Sequence, residues 1–120
     1  MVQFINTDTI LGSNNGDTIF STSASRNILT NMNAGDDIFV FTNGRGTVDG
    51  GLGNDTLVGG NFADSIMGGA GNDVLIGGNL ERAPFNAAIV DTIDGGDGND
   101  TVLSFSARNE IYAGRGNDSI

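Results

Sequence analysis

A chain of 120 residues is one domain by length, and 20 glycines argue against long helices. With no cysteine and no histidine, disulfides and the usual ligands of zinc, iron–sulfur and copper centres are excluded. The net charge is −10 and all five basic residues are arginine, which excludes nucleic acid and anionic membrane surfaces as partners; no apolar run reaches the length of a membrane span.

Taken in chain order, the first stretch, MVQFINTDTIL, lacks the basic and apolar parts of a secretory leader. From Asp8 onward the chain falls into units of nine residues. Each unit has a ligand place, most often Asp, followed two residues later by an apolar residue. The ligand places run Asp8, Asp17, Arg26 and then, after a step of eleven, Asp37, Gly46, Asp55, Asp64, Asp73, Arg82, Asp91, Asp100, Asn109 and Asp118. The residue two further on is apolar throughout, from Ile10 to Ile120, except for Pro84. Asp-x-apolar-x reads as a strand of three to four residues with the apolar side chain inward. The repeats are weak over 1–49 and 77–94 and strong over 50–76 and 95–120, and the whole of 1–120 reads as one repeat domain.

The strong units begin with glycine runs: GGLGND (50–55), GGAGND (68–73), GGDGND (95–100) and AGRGND (113–118). Glycine at the first, second and fourth places permits a tight turn with carbonyls pointing inward. Asn54, Asn72, Asn99 and Asn117, just before the Asp, are expected in a left-handed backbone, which Asn tolerates best after Gly. Carbonyl oxygens plus carboxylates form an all-oxygen shell of the kind that suits Ca²⁺. A charge of −10 is what five divalent ions would cancel, so folding is expected to depend on cations.

At these residues the chain resembles the RTX (hemolysin-type) nonapeptide calcium-binding repeat family, G-G-x-G-x-D-x-U-x with U apolar. GGLGNDTLV (50–58), GGAGNDVLI (68–76) and GGDGNDTVL (95–103) match in full. AGRGNDSI (113–120), GGNFADSIM (59–67), NAGDDIFV (33–40) and GSNNGDTIF (12–20) match in part. The resemblance implies an all-β fold, a right-handed parallel β-roll with two nonapeptides per 18-residue turn and hence six to seven turns. It implies several Ca²⁺ ions, each held between successive turns by Asp and turn carbonyls.

On that basis Asp residues 18 apart share a column. One column is Asp17, Asp37, Asp55, Asp73, Asp91 and Asn109; the other is Asp8, Arg26, Gly46, Asp64, Arg82, Asp100 and Asp118. The implied metal ligands are Asp17, Asp37, Asp55, Asp64, Asp73, Asp91, Asp100 and Asp118, with the turns of Gly50, Gly51, Gly53, Gly68, Gly69, Gly71, Gly95, Gly96, Gly98, Gly114 and Gly116. The preferred pairs are Asp37 with Asp55, Asp55 with Asp73, and Asp100 with Asp118, with Asp73–Asp91 behind them because NAAIV before Asp91 has no glycine. Arg82, between Asp64 and Asp100, either replaces an ion with its guanidinium or points to water from a decayed repeat.

The place after the inward residue is also mostly apolar, from Leu11 to Tyr112, and alternation sends it outward as a ladder that suits contact with another protein. Asp49 and Asp94 are expected to interrupt these ladders, one on each face. Thr and Ser on the other side of the inward residue form ladders broken by Ile38, Val74, Ala83 and Glu110.

No side chain activates the serines, so the chain reads as non-catalytic. The leading expectation is an extracellular calcium-binding β-roll with a structural role that assembles end to end into filaments, through solenoid ends or apolar outer ladders. The alternative is a calcium-dependent folding or secretion module cut from a larger secreted RTX enzyme, toxin or adhesin. A third reading is ice or ligand binding on an outer face.

Overall fold

The computed structural model describes residues 2–5, 9–21, 27–41, 45–60, 63–77, 90–104 and 109–120. Within them are twelve strands and no helix, so no helix is long and apolar enough to cross a membrane. The strands are β1 (Val2–Ile5), β2 (Thr9–Leu11), β3 (Thr18–Ser21), β4 (Asn27–Asn31), β5 (Ile38–Phe41) and β6 (Arg45–Leu52). They continue with β7 (Thr56–Val58), β8 (Ser65–Ala70), β9 (Val74–Gly77), β10 (Asp91–Asp97), β11 (Thr101–Ser104) and β12 (Asn109–Tyr112).

Odd-numbered strands form one six-stranded sheet and even-numbered strands the other, each in chain order and with every pairing parallel. The chain therefore alternates between two sheets and winds a β-solenoid. Alternation along each strand buries the predicted inward residues: Ile10, Ile19, Ile28, Phe39, Val48, Leu57, Ile66, Leu75, Ile93 and Val102 form the core, joined by Met32 and Phe41. Each such side chain contributes about 1.5–3 kcal/mol on leaving water. Stacked coil on coil, they form a continuous apolar seam between the sheets.

The spacing between stacked strands is not uniform, and it corrects the sequence register twice. Half of the ten steps are 18 residues, as for Ile38↔Thr56↔Val74 and Thr47↔Ser65. Between β9 and β11, and between β8 and β10, the step is 27: Val74 pairs with Thr101 and Ser65 with Thr92. Pairing thus passes over the nonapeptide that holds Arg82 and Pro84, residues that lie outside those described. This repeat has Leu80 at the fourth, glycine place and Arg82 at the ligand place, and it offers Pro84 where the core needs an apolar side chain, so the following repeats are the better stacking partners. The long step also leaves fewer coils than the six to seven expected.

The second correction concerns β4. Ile10 stacks on Thr30 and Thr30 on Val48, while Ile28 stacks on Gly46. The extra two residues therefore come before β4 rather than between Arg26 and Asp37. Ile28, and not Arg26, shares the register of Gly46; Arg26 itself lies outside the described residues, as does Asp8.

The long step also redistributes the outer faces. Phe20, Val40, Val58, Ile76 and Leu103 align on the first sheet, beside Thr18, Ile38, Thr56, Val74 and Thr101, with no charge among them. Asp49 and Asp94 were expected on opposite faces, but both stand on the second sheet, on either side of Met67. That second column reads Leu11, Asn31, Asp49, Met67, Asp94 and Tyr112. One face is thus uncharged and the other is acidic and interrupted.

Thr30 is 1% exposed and its hydroxyl has no hydrogen-bond partner. A buried unsatisfied hydroxyl costs about 1–3 kcal/mol. Thr30→Val keeps the shape and removes the hydroxyl, so it should stabilise the fold by about 1 kcal/mol. A calorimetric melt in calcium with Tm unchanged or lowered contradicts the inward placement of Thr30 on β4.

Candidate metal centre

All the glycine-run turns fall on one edge of the roll, where the even-numbered strand of a coil passes to the odd-numbered one. Left-handed backbone falls at the second and fourth places of these turns, as at Gly51 (φ 94) and Gly53 (φ 123). Side chains rarely adopt these angles, so the sequence supplies glycine there. The exception is Asn33, at the second place of its turn, with φ 71. The fifth-place asparagines are not left-handed, contrary to expectation. Their side chains form an exposed ladder instead: Asn72, Asn99 and Asn117 each donate a backbone N–H to the Oδ1 of the asparagine one coil earlier, at 2.8–2.9 Å. Asn54 donates likewise to Asp36 Oδ1 at 2.8 Å. Sequence reasoning missed this ladder, although the repeated Gly-Asn-Asp carried the signal.

The sixth-place aspartates form a second, buried ladder of opposite polarity. The N–H of Asp17 donates to Oδ1 of Asp37 (2.6 Å), Asp37 to Asp55 (2.8 Å) and Asp55 to Asp73 (2.8 Å). Asp73 then donates to Asp100 and Asp100 to Asp118, both at 2.9 Å. Asp37 with Asp55, Asp55 with Asp73, and Asp100 with Asp118 are brought together as the sequence implied. Asp73 with Asp91 is not: the 27-residue step carries Asp73 to Asp100. Asp91 lies on the opposite edge, where its Oδ1 accepts the N–H of Asp64 (3.0 Å) and its own N–H donates to Asn109 Oδ1 (3.1 Å). The columns are therefore Asp17, Asp37, Asp55, Asp73, Asp100 and Asp118 on the glycine edge, and Ile28, Gly46, Asp64, Asp91 and Asn109 on the other. Asp64 stacks directly on Asp91 and Asp100 lies on the other edge, so the expected column Asp64, Arg82, Asp100 is not formed; Arg82 itself lies outside the described residues.

The second carboxylate oxygen distinguishes the sites. Oδ2 of Asp37, Asp55, Asp73 and Asp100 is buried and accepts no hydrogen bond, and each of these residues is 1% exposed. In Asp17 the same oxygen is satisfied by the Ser13 N–H (2.6 Å) and hydroxyl (2.8 Å). In Asp64 it accepts the Gly60 N–H at 2.8 Å, while Oδ1 accepts that of Gly46 at 3.0 Å.

The free oxygens of Asp55, Asp73 and Asp100 face a recurring cradle. A methyl group on Gly50 would meet the Gly68 carbonyl oxygen of the next coil at 2.6 Å and Asp55 Oδ2 closer still. On Gly68 it would meet the Gly95 carbonyl oxygen at 2.6 Å and Asp73 Oδ2 closer still. On Gly95 it would meet Asp100 Oδ2 at 2.5 Å and the Ala113 carbonyl oxygen closer still. In each cradle a carboxylate oxygen and a carbonyl oxygen from the next coil are no farther apart than the span of two Ca²⁺–O contacts. Among the described residues no three carboxylates gather to hold one ion, so an ion here must take most of its oxygens from the backbone. Hard oxygen donors, one carboxylate per level and an orphaned buried oxygen fit Ca²⁺.

Burial pushes Asp55 and Asp73 up to about 6, opposed by the N–H donated from the preceding coil. Carboxylates one coil away raise them further: Asp73 and Asp37 act on Asp55, and Asp100 on Asp73. Burial likewise lifts Asp64 to about 7 and raises Asp37, whereas hydrogen bonds from Ser13 lower Asp17. The raised groups bind protons more tightly folded than unfolded, where the ordinary value is 3.8. Metal-free stability is therefore greatest in acid and falls as pH rises through the window from 3.8 to about 6–7. Without metal, the strand signal in circular dichroism should be stronger at pH 5 than at pH 7.5, with Ca²⁺ restoring it at pH 7.5. A metal-free strand signal that grows as pH rises contradicts this account of the buried carboxylates.

Among known families, the RTX calcium-binding nonapeptide repeat matches in four copies, over residues 49–79 and 90–120. Those spans contain all three cradles, and the interval between them lies within the stretch that the strand pairing passes over. No curated protein and no solved structure matches the chain.

Proposed function

The chain belongs to the RTX calcium-binding nonapeptide repeat family, and on that premise we propose that it is a non-catalytic extracellular scaffold whose fold Ca²⁺ completes. The observation that carries this reading is the row of buried Asp Oδ2 atoms without a partner, of which those of Asp55, Asp73 and Asp100 each face a carbonyl of the next coil. The bound ion supplies positive charge at the junction of two coils. Asp55, Asp73 and Asp100 hold it from one coil, and the carbonyls of Gly68, Gly95 and Ala113 from the next. Extracellular calcium suits such sites, because affinities of about 10⁻⁴–10⁻³ M suffice there. In a cell interior with little free calcium the aspartate ladder would stay uncompensated and the chain open.

The structural role we assign is end-to-end assembly. The outer edge of β12 has no strand partner among the described residues; Tyr112 in that strand is 58% exposed, and Ile120, next to the Ser119 that bridges to Thr101 on the first sheet, is 71% exposed. A further coil in the same register would cover both, whether it comes from another copy or from a longer secreted chain in which this segment is a calcium-dependent folding module. The uncharged face of the first sheet offers a lateral surface for association.

Circular dichroism during calcium titration at neutral pH, with light scattering on the same samples, tests the reading. The expected result is a disordered spectrum in chelator and a strand spectrum in calcium. Particle growth with calcium supports assembly of copies, and a calcium-loaded monomer at high concentration supports the module. A strand spectrum that persists unchanged in excess EGTA overturns the calcium-dependent fold.

A further inference from the structure

We propose that this roll carries its calcium on the glycine edge alone, at the levels of Asp55, Asp73 and Asp100, and that Met32 closes the level of Asp37. The inference rests on the calcium reading above and specifies which of this chain's aspartates serve it.

The opposite edge is built from other chemistry. Among the described residues its ligand places are Ile28, Gly46, Asp64, Asp91 and Asn109, so three of these five hold no carboxylate. Asp64 already has both oxygens hydrogen-bonded by backbone N–H groups. Asp91 Oδ1 is taken by the Asp64 N–H, and the Asn109 side-chain amide donates to the Ser104 hydroxyl. The carboxylates of this edge thus serve as hydrogen-bond acceptors that join coils, a role that needs no ion. Among the described residues, the four buried aspartate oxygens without a partner are all on the other edge.

Along the glycine edge, the first place of each turn decides what fits. In coil order it reads Gly12, Met32, Gly50, Gly68, Gly95 and Ala113. Gly50, Gly68 and Gly95 leave open the point where the aspartate and the next coil's carbonyl converge. At Gly12 the nearest atoms are all Met32 backbone, and Asp17 is held away by Ser13. Met32 is in register with Gly50, because Asn31 pairs with Asp49 and the Met32 N–H donates to the Asp49 carbonyl at 2.9 Å. Its side chain is fully buried. At this level a Cβ and a thioether chain stand where neighbouring coils have a bare Cα. A thioether is a soft donor that Ca²⁺ does not choose. Asp37 then acts only as a rung, accepting the Asp17 N–H.

Native mass spectrometry of the calcium-loaded full chain counts the ions. The wild type should bind three, Asp64→Asn should still bind three, and Asp73→Asn should bind fewer. Met32→Gly should gain a fourth ion at Asp37. Loss of an ion in Asp64→Asn overturns the one-edge assignment, and a folded Met32→Gly that gains no ion over the wild type overturns the role of Met32. If Met32→Gly does not fold, Asp37→Asn decides: three ions support the closed level, and two overturn it. A wild type that binds no calcium at all refutes the calcium reading itself, a different failure from either of these.

Discussion

The structure depends on one repeated contact: a backbone N–H of one coil donating to the aspartate of the next. It sets the register of the glycine edge and places a carboxylate on every coil at about the 4.8 Å spacing of paired strands. Two unit charges about 5 Å apart at an effective dielectric of ~20 repel by about 3 kcal/mol. One buried apolar rung contributes about 1.5–3 kcal/mol. The repulsion between neighbouring bare carboxylates is therefore as large as what the seam gains per strand, and the ladder needs either protons or cations. That comparison, more than the net charge of −10, makes the fold conditional.

The two edges answer this demand differently, and turn composition is the reason. Glycine at the first place leaves room beside each aspartate, so its second oxygen stays open to an ion. Where the turn brings an extra N–H or hydroxyl within reach, as Gly60 does for Asp64 and Ser13 does for Asp17, the same oxygen is satisfied within the protein. The same side chain at the same register position thus has two functions. Position in the repeat does not separate them; the first five residues of each turn do.

Much of this was legible in the sequence. The nine-residue period located the core residues Ile19, Phe39, Leu57, Ile66, Leu75, Ile93 and Val102, and the glycine runs located the turns that form the cradles. What failed was arithmetic carried through weak repeats. Counting in eighteens put Asp73 with Asp91 and placed Arg82 in a ligand column, because chain distance was taken for stacking distance. The places of Asp49 and Asp94 were mistaken for the same reason. In β4 the apolar Ile28 lay two residues after Arg26 and satisfied the pattern, so nothing flagged that Thr30 stacks between Ile10 and Val48. The asparagine ladder was hidden because Asn before Asp also fits a left-handed turn, and only the backbone angles separate the two.

The 27-residue step shows what a solenoid tolerates. Each coil touches only its neighbours, so a longer connection between two of them disturbs no other contact. Lengthening a connection is cheap, since each doubling costs about 0.6 kcal/mol in closure entropy. Keeping the 18-residue step would have stacked Ile66 on Pro84, set Arg82 against Asp64 and put a turn without glycine at Asp91 on the ladder edge. Removing a core side chain alone costs about 2–5 kcal/mol. The pairing Ile66↔Ile93 and Leu75↔Val102 restores apolar stacking on both sheets, and the same shift returns GGDGND to the glycine edge. Core and ladder therefore select the same register, and nine residues of added connection cost less than what either would lose.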